Sequence, residues 1–233
     1  APMTSSLTDL HIVVTGASGG LGGSVVEHLI AAGATVHAPL VEAEVPKHAT
    51  WLIHERVHAT AAVDASSEAA MTAYFAGLPT LWASIHLVGG YTGAALIETS
   101  VADFDKMIAL NARTCFLATR EAARALRGRG GRIVNVAARP ALVPTAGLVA
   151  YAASKAAVVA ITQGAAAELS AEGVFVNAVV PSIIDTPANR AAMPDVDFGR
   201  WPKPAELAAT IGYLASPANA LTSGALVPVY GRA

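Results

Sequence analysis

The stretch Thr15-Gly16-Ala17-Ser18-Gly19-Gly20-Leu21-Gly22 decides how the rest of the chain is read. Before it, His11–Thr15 is an apolar run of strand length. After it, Leu21–Ala32 carries apolar residues at helical spacing and stops at Gly33, a helix terminator. A strand that turns through glycines into a helix can cradle phosphates. Gly16 lets the chain turn sharply, Gly20 lets the backbone approach a pyrophosphate, and Gly22 lets helix and strand pack closely. The free amide hydrogens at the helix start then face the phosphates. Glycine triplets alone also mark ordinary tight turns. The strand before and the helix after favour a dinucleotide site, with Gly16, Ser18, Gly19, Gly20, Leu21 and Gly22 as cofactor contacts.

Working outward, strand and helix patterns alternate. Ala34–Leu40 reads as a second strand, and Pro46 forbids one continuous element up to Val57. Val57–Val63 is a third strand, followed by a helix over Glu68–Ala76 capped by Ser66 or Ser67. Leu81–Val88 is a fourth strand, and a long helix starts at Ser100 or Asp103 and runs through Leu126. Then come a strand over Arg132–Val136, a helix over Tyr151–Ala171 closed by Gly173, and a strand over Val174–Val180. Pro204–Ala215 is a helix and Ala225–Val229 a last strand. Such alternation predicts an α/β fold: a Rossmann-type, doubly wound parallel sheet of about seven strands with helices on both faces. Ligands bind beyond the carboxyl ends of such strands, where Gly16, Asp64, Gly89 and Ala137 stand. With no internal repeat, low-complexity tract or linker, residues 1–233 are expected to form one domain, Ala1-Pro2 before Met3 being an appended remnant.

Composition narrows the function. The 233 residues are 54% hydrophobic and 14% charged, which supports a large core and suggests that apolar surface is covered by another copy of the chain. The net charge is -2, and Arg124–Arg132 is the one basic stretch, so nucleic-acid binding is not expected. The single cysteine, Cys115, excludes a disulfide framework and fits a buried thiol in a reducing, cytoplasmic setting. No apolar run has membrane-spanning length, and the seven histidines lack Cys or acidic partners at metal-ligand spacing.

Tyr151-Ala-Ala-Ser-Lys155 opens the Tyr151–Ala171 helix, with its two reactive side chains four residues apart and so on one face. An ammonium beside a phenol favours the phenolate and is expected to lower the Tyr151 pKa. The phenol could then exchange a proton with a substrate atom while hydride moves. Taken with the glycine turn, these residues resemble the short-chain dehydrogenase/reductase family nearly end to end, from Leu10 to Gly231. The resemblance includes LNART at 110–114, GRIVNV at 131–136, VNAVVPS at 176–182 and DTP at 185–187. It implies a nicotinamide cofactor, NAD(H) or NADP(H), with Tyr151 as general acid/base, Lys155 also holding the nicotinamide ribose, and Asn111 supporting a proton-relay water. It further implies Val63 and Asp64 beside the adenine, Gly89 and Gly90 in close approach to the cofactor, Ile184 and Thr186 on its carboxamide and diphosphate side, and Pro181 as a further cofactor contact.

The sequence departs from the family where the substrate would lie. The serine expected thirteen residues before the tyrosine is Ala138, which removes a hydrogen-bond donor to a substrate carbonyl. The turn after strand four reads Gly89-Gly90-Tyr91, with Tyr91 available to line the substrate pocket or to pack; His86 reads as structural. These features, and the run from Asp185 to Trp201 (DTPANRAAMPDVDFGRW), resemble the dihydropteridine reductase branch, whereas Asn111 resembles the main family. A quinonoid pterin accepts hydride readily and needs less help from a serine. The acid that NAD-preferring members carry at the end of strand two is replaced by Leu40, with Glu42 two residues late, so the choice between NADH and NADPH stays open. Residues 182–203 are expected to form a substrate lid in which Met193, Phe198 and Trp201 cover a small-molecule substrate. The low-charge helices Val101–Leu126 and Tyr151–Ala171 would by resemblance form a subunit interface, giving a homodimer or homotetramer. The competing readings are a ketone/alcohol dehydrogenase or 3-oxoacyl-thioester reductase with an altered tetrad, and a dinucleotide-binding protein without catalysis.

Overall fold

A computed structural model describes residues 6–232, so Ala1-Pro2 lies outside the described residues. Seven strands form one sheet: β1 (His11–Thr15), β2 (Thr35–Pro39), β3 (Val57–Thr60), β4 (Ala83–His86), β5 (Gly131–Val136), β6 (Val174–Pro181) and β7 (Leu226–Val229). Their spatial order is β3-β2-β1-β4-β5-β6-β7, and every neighbouring pair is parallel. The order reverses between β1 and β4, and that switch point fixes where a dinucleotide can bind.

Both faces of the sheet are covered because the strands are apolar on both sides. Ile12, Val14, Val36, Ile85, Val134 and Val179 pack with α1 (Gly22–Ala31) and with the last helix, Pro204–Ala215. Val13, Ile133, Val174 and Val176 face the other way, onto Met71 and Phe75 of α2 (Glu68–Ala76) and Leu117, Ala122 and Leu126 of a long central helix. This is the expected three-layer doubly wound architecture.

The long central helix is not uniform. It runs as α3 (Val101–Met107), a π-helical segment (Ile108–Arg113) and α4 (Thr114–Leu126). Of the two expected caps, Ser100 is the one used: its hydroxyl accepts from Asp103 N at 3.0 Å. The next helix, α5 (Val149–Leu169), begins two residues before Tyr151, which therefore sits in the first turn rather than at its start. The segment 182–203 contains two helical turns that the loop reading lacked: α6 (Pro187–Ala192), capped by Thr186, and a 3-10 turn over Phe198–Arg200. The last helix, Pro204–Ala215, is α7.

Candidate active site

The glycine turn stands at the carboxyl end of β1, and its glycines are required by contact. Gly16 has φ +72, and a Cβ there would lie 2.8 Å from Val88 N. A Cβ on Gly22 would collide with the backbone of Ala17, so only glycine lets α1 start this close to β1. Gly19 and Gly20 lie between them, and a Cβ on Gly20 would touch Thr186 Cγ2 at 3.3 Å, so Thr186 stands over the turn. Leu21 caps α1 through its backbone while its side chain packs on the core. The bare backbone facing the cleft is the kind of cradle that a pyrophosphate fills.

Across the switch point, Gly89, Gly90, Asn111 and Lys155 come together. A Cβ on Gly89 would lie 2.7 Å from Asn111 Oδ1 and 3.1 Å from Lys155 Nζ. Asn111 is buried inside the π-helical segment; its Oδ1 accepts from Gly90 N, while its Nδ2 donates to Gly90 O and to Ser154 Oγ, each at 3.0 Å. Tyr151 and Lys155 share a face of α5. Tyr91 packs edge-on against Tyr151 with ring centroids 5.3 Å apart, and remains 65% exposed. Ala138 follows β5 with extended backbone and is buried, presenting a methyl group where a hydroxyl was expected.

The electrostatics differ from the expectation at the tyrosine. Lys155 Nζ donates to Val136 O at 2.9 Å, and burial pulls the Lys155 pKa down to about 8. Burial, with Tyr91 adding to it, pushes Tyr151 up to about 12, so the expected lowering by Lys155 is not seen. Desolvation is the larger cause at the phenol, and the Lys155 hydrogen bond goes to a main-chain oxygen instead.

Comparison with known proteins places the chain in a family. The family described as short chain dehydrogenase matches residues 10–197. The chain belongs to the short-chain dehydrogenase/reductase family. It is 32% identical to a (3R)-3-hydroxyacyl-CoA dehydrogenase of Canis lupus familiaris, over 94% of both chains. It is 31% identical to a D-threitol dehydrogenase of Mycolicibacterium smegmatis, over 94% of this chain and 90% of the relative. A solved structure described as a short chain dehydrogenase/reductase family protein superposes with a TM-score of 0.89 at 28% identity, covering 97% of each chain. This short-chain dehydrogenase/reductase is thus an oxidoreductase, of a family that uses NAD(H) or NADP(H).

Other expected site residues take varied places. Leu40, counted as the ribose position, is 1% exposed and belongs to the hydrophobic core, so its side chain is a packing residue. The acid that reaches the glycine turn is Glu42: its Oε1 accepts from Ser18 Oγ at 2.8 Å. The chain beyond β2 folds back over the turn, with Trp51 Nε1 donating to Ala17 O at 2.9 Å and His48 Nε2 lying 3.1 Å from Ser18 O. Sequence counting missed Glu42 because this fold-back is not local. Val63 is buried against α2, and Asp64 Oδ1 accepts from Ser66 N and Ser66 Oγ. Pro181 ends β6, Ile184 packs against the core, and Thr186 Oγ1 accepts from Asn189 N. Trp201 is 5% exposed and tilts against Phe198, so it anchors the segment rather than facing open space. Met193 is half-buried at the end of α6. Among the described residues, no group of three or more His, Cys, Asp or Glu is placed to hold a metal ion, and no helix is long and apolar enough to cross a membrane.

Proposed function

We propose that this short-chain dehydrogenase/reductase takes NADH and reduces an acceptor that is already electron-poor, of the quinonoid dihydropterin kind. The carrying observation is Ala138: the buried residue that follows β5, thirteen positions before Tyr151, has a methyl group where a plain ketone would need a hydrogen-bond donor. An acceptor that gains ring conjugation on reduction can forgo that donor. Gly89-Gly90-Tyr91 and the run from Asp185 to Trp201 support the same branch.

In this reading Gly16, Ser18, Gly19, Gly20, Leu21 and Gly22 hold the diphosphate. Val63 and Asp64 border the adenine, Gly89 and Gly90 border the nicotinamide with Pro181, Ile184 and Thr186, and Lys155 holds the ribose. The nicotinamide, when bound, supplies the hydride. Tyr151 supplies the proton: a phenol pushed up to about 12 keeps its proton at neutral pH and is suited to act as the acid of a reduction. Lys155, at about 8, is mostly cationic at pH 7 and stabilises the phenolate left behind. Asn111 holds the Gly90 main chain and supports the water that returns a proton through Lys155. Tyr91, Met193 and the remainder of the 182–203 lid enclose the substrate. Glu42 favours NADH, because a carboxylate bonded to Ser18 repels the 2′-phosphate of NADPH and suits a free ribose hydroxyl.

A homodimer or homotetramer in a reducing, cytoplasmic setting belongs to this reading. Its support is the groove of about 410 Å³ lined by Asp105, Ile108, Ala112, Phe116 and Ile161 on the two long helices, with Phe116 48% exposed. A second reading, reduction of a 3-oxoacyl thioester or oxidation of a polyol, is favoured by the names of the two relatives. The test is NADH and NADPH oxidation at the nicotinamide absorbance with quinonoid dihydropterin, and with Tyr151→Phe as control. Turnover with NADH that disappears in the variant is expected. Reduction of simple ketones as fast as pterin would overturn the pterin reading. Tight NADH binding without turnover of any acceptor would favour a binder without catalysis.

A further inference from the structure

Behind the reactive residues lies a closed chain of buried polar side chains centred on His86, which is 4% exposed in the middle of the sheet. Its hydrogen-bond directions can be deduced from one end. Thr162 Oγ1 donates to Val158 O at 2.8 Å, so it accepts from Asn135 Nδ2 at 2.9 Å. The amide oxygen of Asn135 therefore faces His86 Nδ1 at 2.7 Å, and Nδ1 carries the proton. His86 Nε2 is left to accept from Ser84 Oγ at 2.8 Å. Thr119 Oγ1 donates to the same Asn135 oxygen at 3.3 Å, and Cys115 Sγ lies 3.9 Å from Thr119 Oγ1. Burial holds the His86 pKa down to about 4, so the ring is neutral at pH 7.

This hub joins the elements that carry the reactive groups. Ser84 and His86 lie on β4, which leads into Gly89 and Gly90. Asn135 lies on β5, next to the Val136 carbonyl that receives Lys155 Nζ and three residues before Ala138. Thr119 lies on α4, which continues from the Asn111 segment; Thr162 lies two turns beyond Lys155 on α5. Apolar side chains could fill the same space without desolvating five polar groups, but they would not fix one register. Two polar links tie α5 to β5: Asn135 to Thr162, and Lys155 to Val136. The second is the reactive residue itself.

We propose that His86 is a positioning residue: by donating to Asn135 it sets the register of α5 against β5, and with it the placement of Lys155 at the Val136 carbonyl. It touches neither substrate nor cofactor. The proposal does not depend on which acceptor is reduced.

The test compares His86→Leu, which abolishes the donor, with His86→Asn, whose side-chain amide replaces the donating Nδ1. Lys155 Nζ titration is followed by NMR of isotope-labelled lysine in the whole protein, assigned with Lys155→Met. Turnover is measured alongside with the best acceptor of the wild type. His86→Leu is expected to move the Lys155 midpoint by at least half a pH unit and to lower kcat about 10-fold at unchanged KM for NADH. His86→Asn is expected to restore both. A Leu variant with a lower melting temperature but an unmoved Lys155 titration would assign His86 a purely structural role and overturn the proposal, as would an Asn variant shifted as far as Leu. If the Leu variant fails to fold, Thr162→Val breaks the same chain at the α5 end and must give the same shift. The titration decides the matter even where no acceptor is turned over, so failure of the pterin reading is seen separately.

Discussion

Around β1 and β2 the cleft is shaped by main chain, and around β4, β5 and α5 by buried side chains. On the first side Gly16 takes φ +72, Gly22 leaves no room for a Cβ, and Trp51 reaches over to bond Ala17 O. On the second side Asn111, Lys155, Asn135 and His86 are each buried and each hydrogen-bonded. A pyrophosphate needs amide hydrogens and space, which glycine provides. A proton transfer needs one donor held at one place, which a packed network of side chains provides. Substitutions on the reactive side should therefore change rate, and substitutions on the glycine side should change cofactor choice.

The sharpest break in that contrast is Tyr151→Phe. Removing the phenolic proton should lower kcat by about 100- to 10,000-fold and leave the NADH dissociation constant within about 2-fold, measured by steady-state turnover and by fluorescence titration. A large loss of NADH binding instead would place Tyr151 on the cofactor side. The same pair sets a pH dependence. The Lys155 cation persists below its pKa of about 8, so reduction should be level at neutral pH and fall as pH rises through about 8.

Acid stability probes both sides at once. His37, in β2, is pushed down to about 4 by burial and by His11 and His58; His86 is pushed down to about 4 by burial. Both have folded pKa values below the unfolded 6.5, so between pH 6.5 and about 4 the unfolded chain takes up protons that the folded chain refuses. Their contribution is fully present above pH 6.5 and is lost as pH falls through that window. For His86 alone the loss at pH 4 is on the order of 3 kcal/mol. Urea melts at pH 7 and pH 4.5 should show the drop, and His37→Gln should lessen it; an unchanged drop would mean that His37 is protonated in the fold.

The contrast also explains what could be read in the sequence. The glycine turn and all seven strands were legible, since glycine spacing and continuous apolar runs record local backbone needs. The Tyr151/Lys155 pair was legible as a shared helix face. The target of Lys155 Nζ was not, because a main-chain carbonyl leaves no trace in the sequence. The π-helical segment around Asn111 has an apolar spacing close to that of an α-helix, from which the sequence does not distinguish it. Glu42 stands two residues beyond the ribose position, and only the fold-back of residues 42–51 brings it to Ser18. The signal for α6 was present in Thr186-Pro187, a cap followed by proline, within a stretch read as loop.

Glu42→Gln tests the main-chain side. Loss of the charge beside Ser18 should leave NADH turnover within about 3-fold and raise kcat/KM for NADPH about 10-fold, since one screened charge near a phosphate is worth on the order of 1 kcal/mol. An unchanged NADH to NADPH ratio would mean that the carboxylate does not face the ribose, and Asp64 would be the next residue to substitute.

The smallest effect expected on the proposed reaction itself is the most informative about substrate. Ala138→Ser returns a hydroxyl to the buried position that follows β5. With quinonoid dihydropterin as acceptor, kcat should stay within about 2-fold, because that acceptor does not depend on a carbonyl donor; with a simple ketone it should rise about 10-fold or more, the added donor acting on an oxygen that develops negative charge. The two acceptors thus respond differently to one atom. If both rise together, Ala138 marks a weakened general dehydrogenase, and the polyol and thioester readings gain. If neither rises, the new hydroxyl is drawn away from the substrate, and the wall at residue 138 is shaped for exclusion rather than for want of a donor.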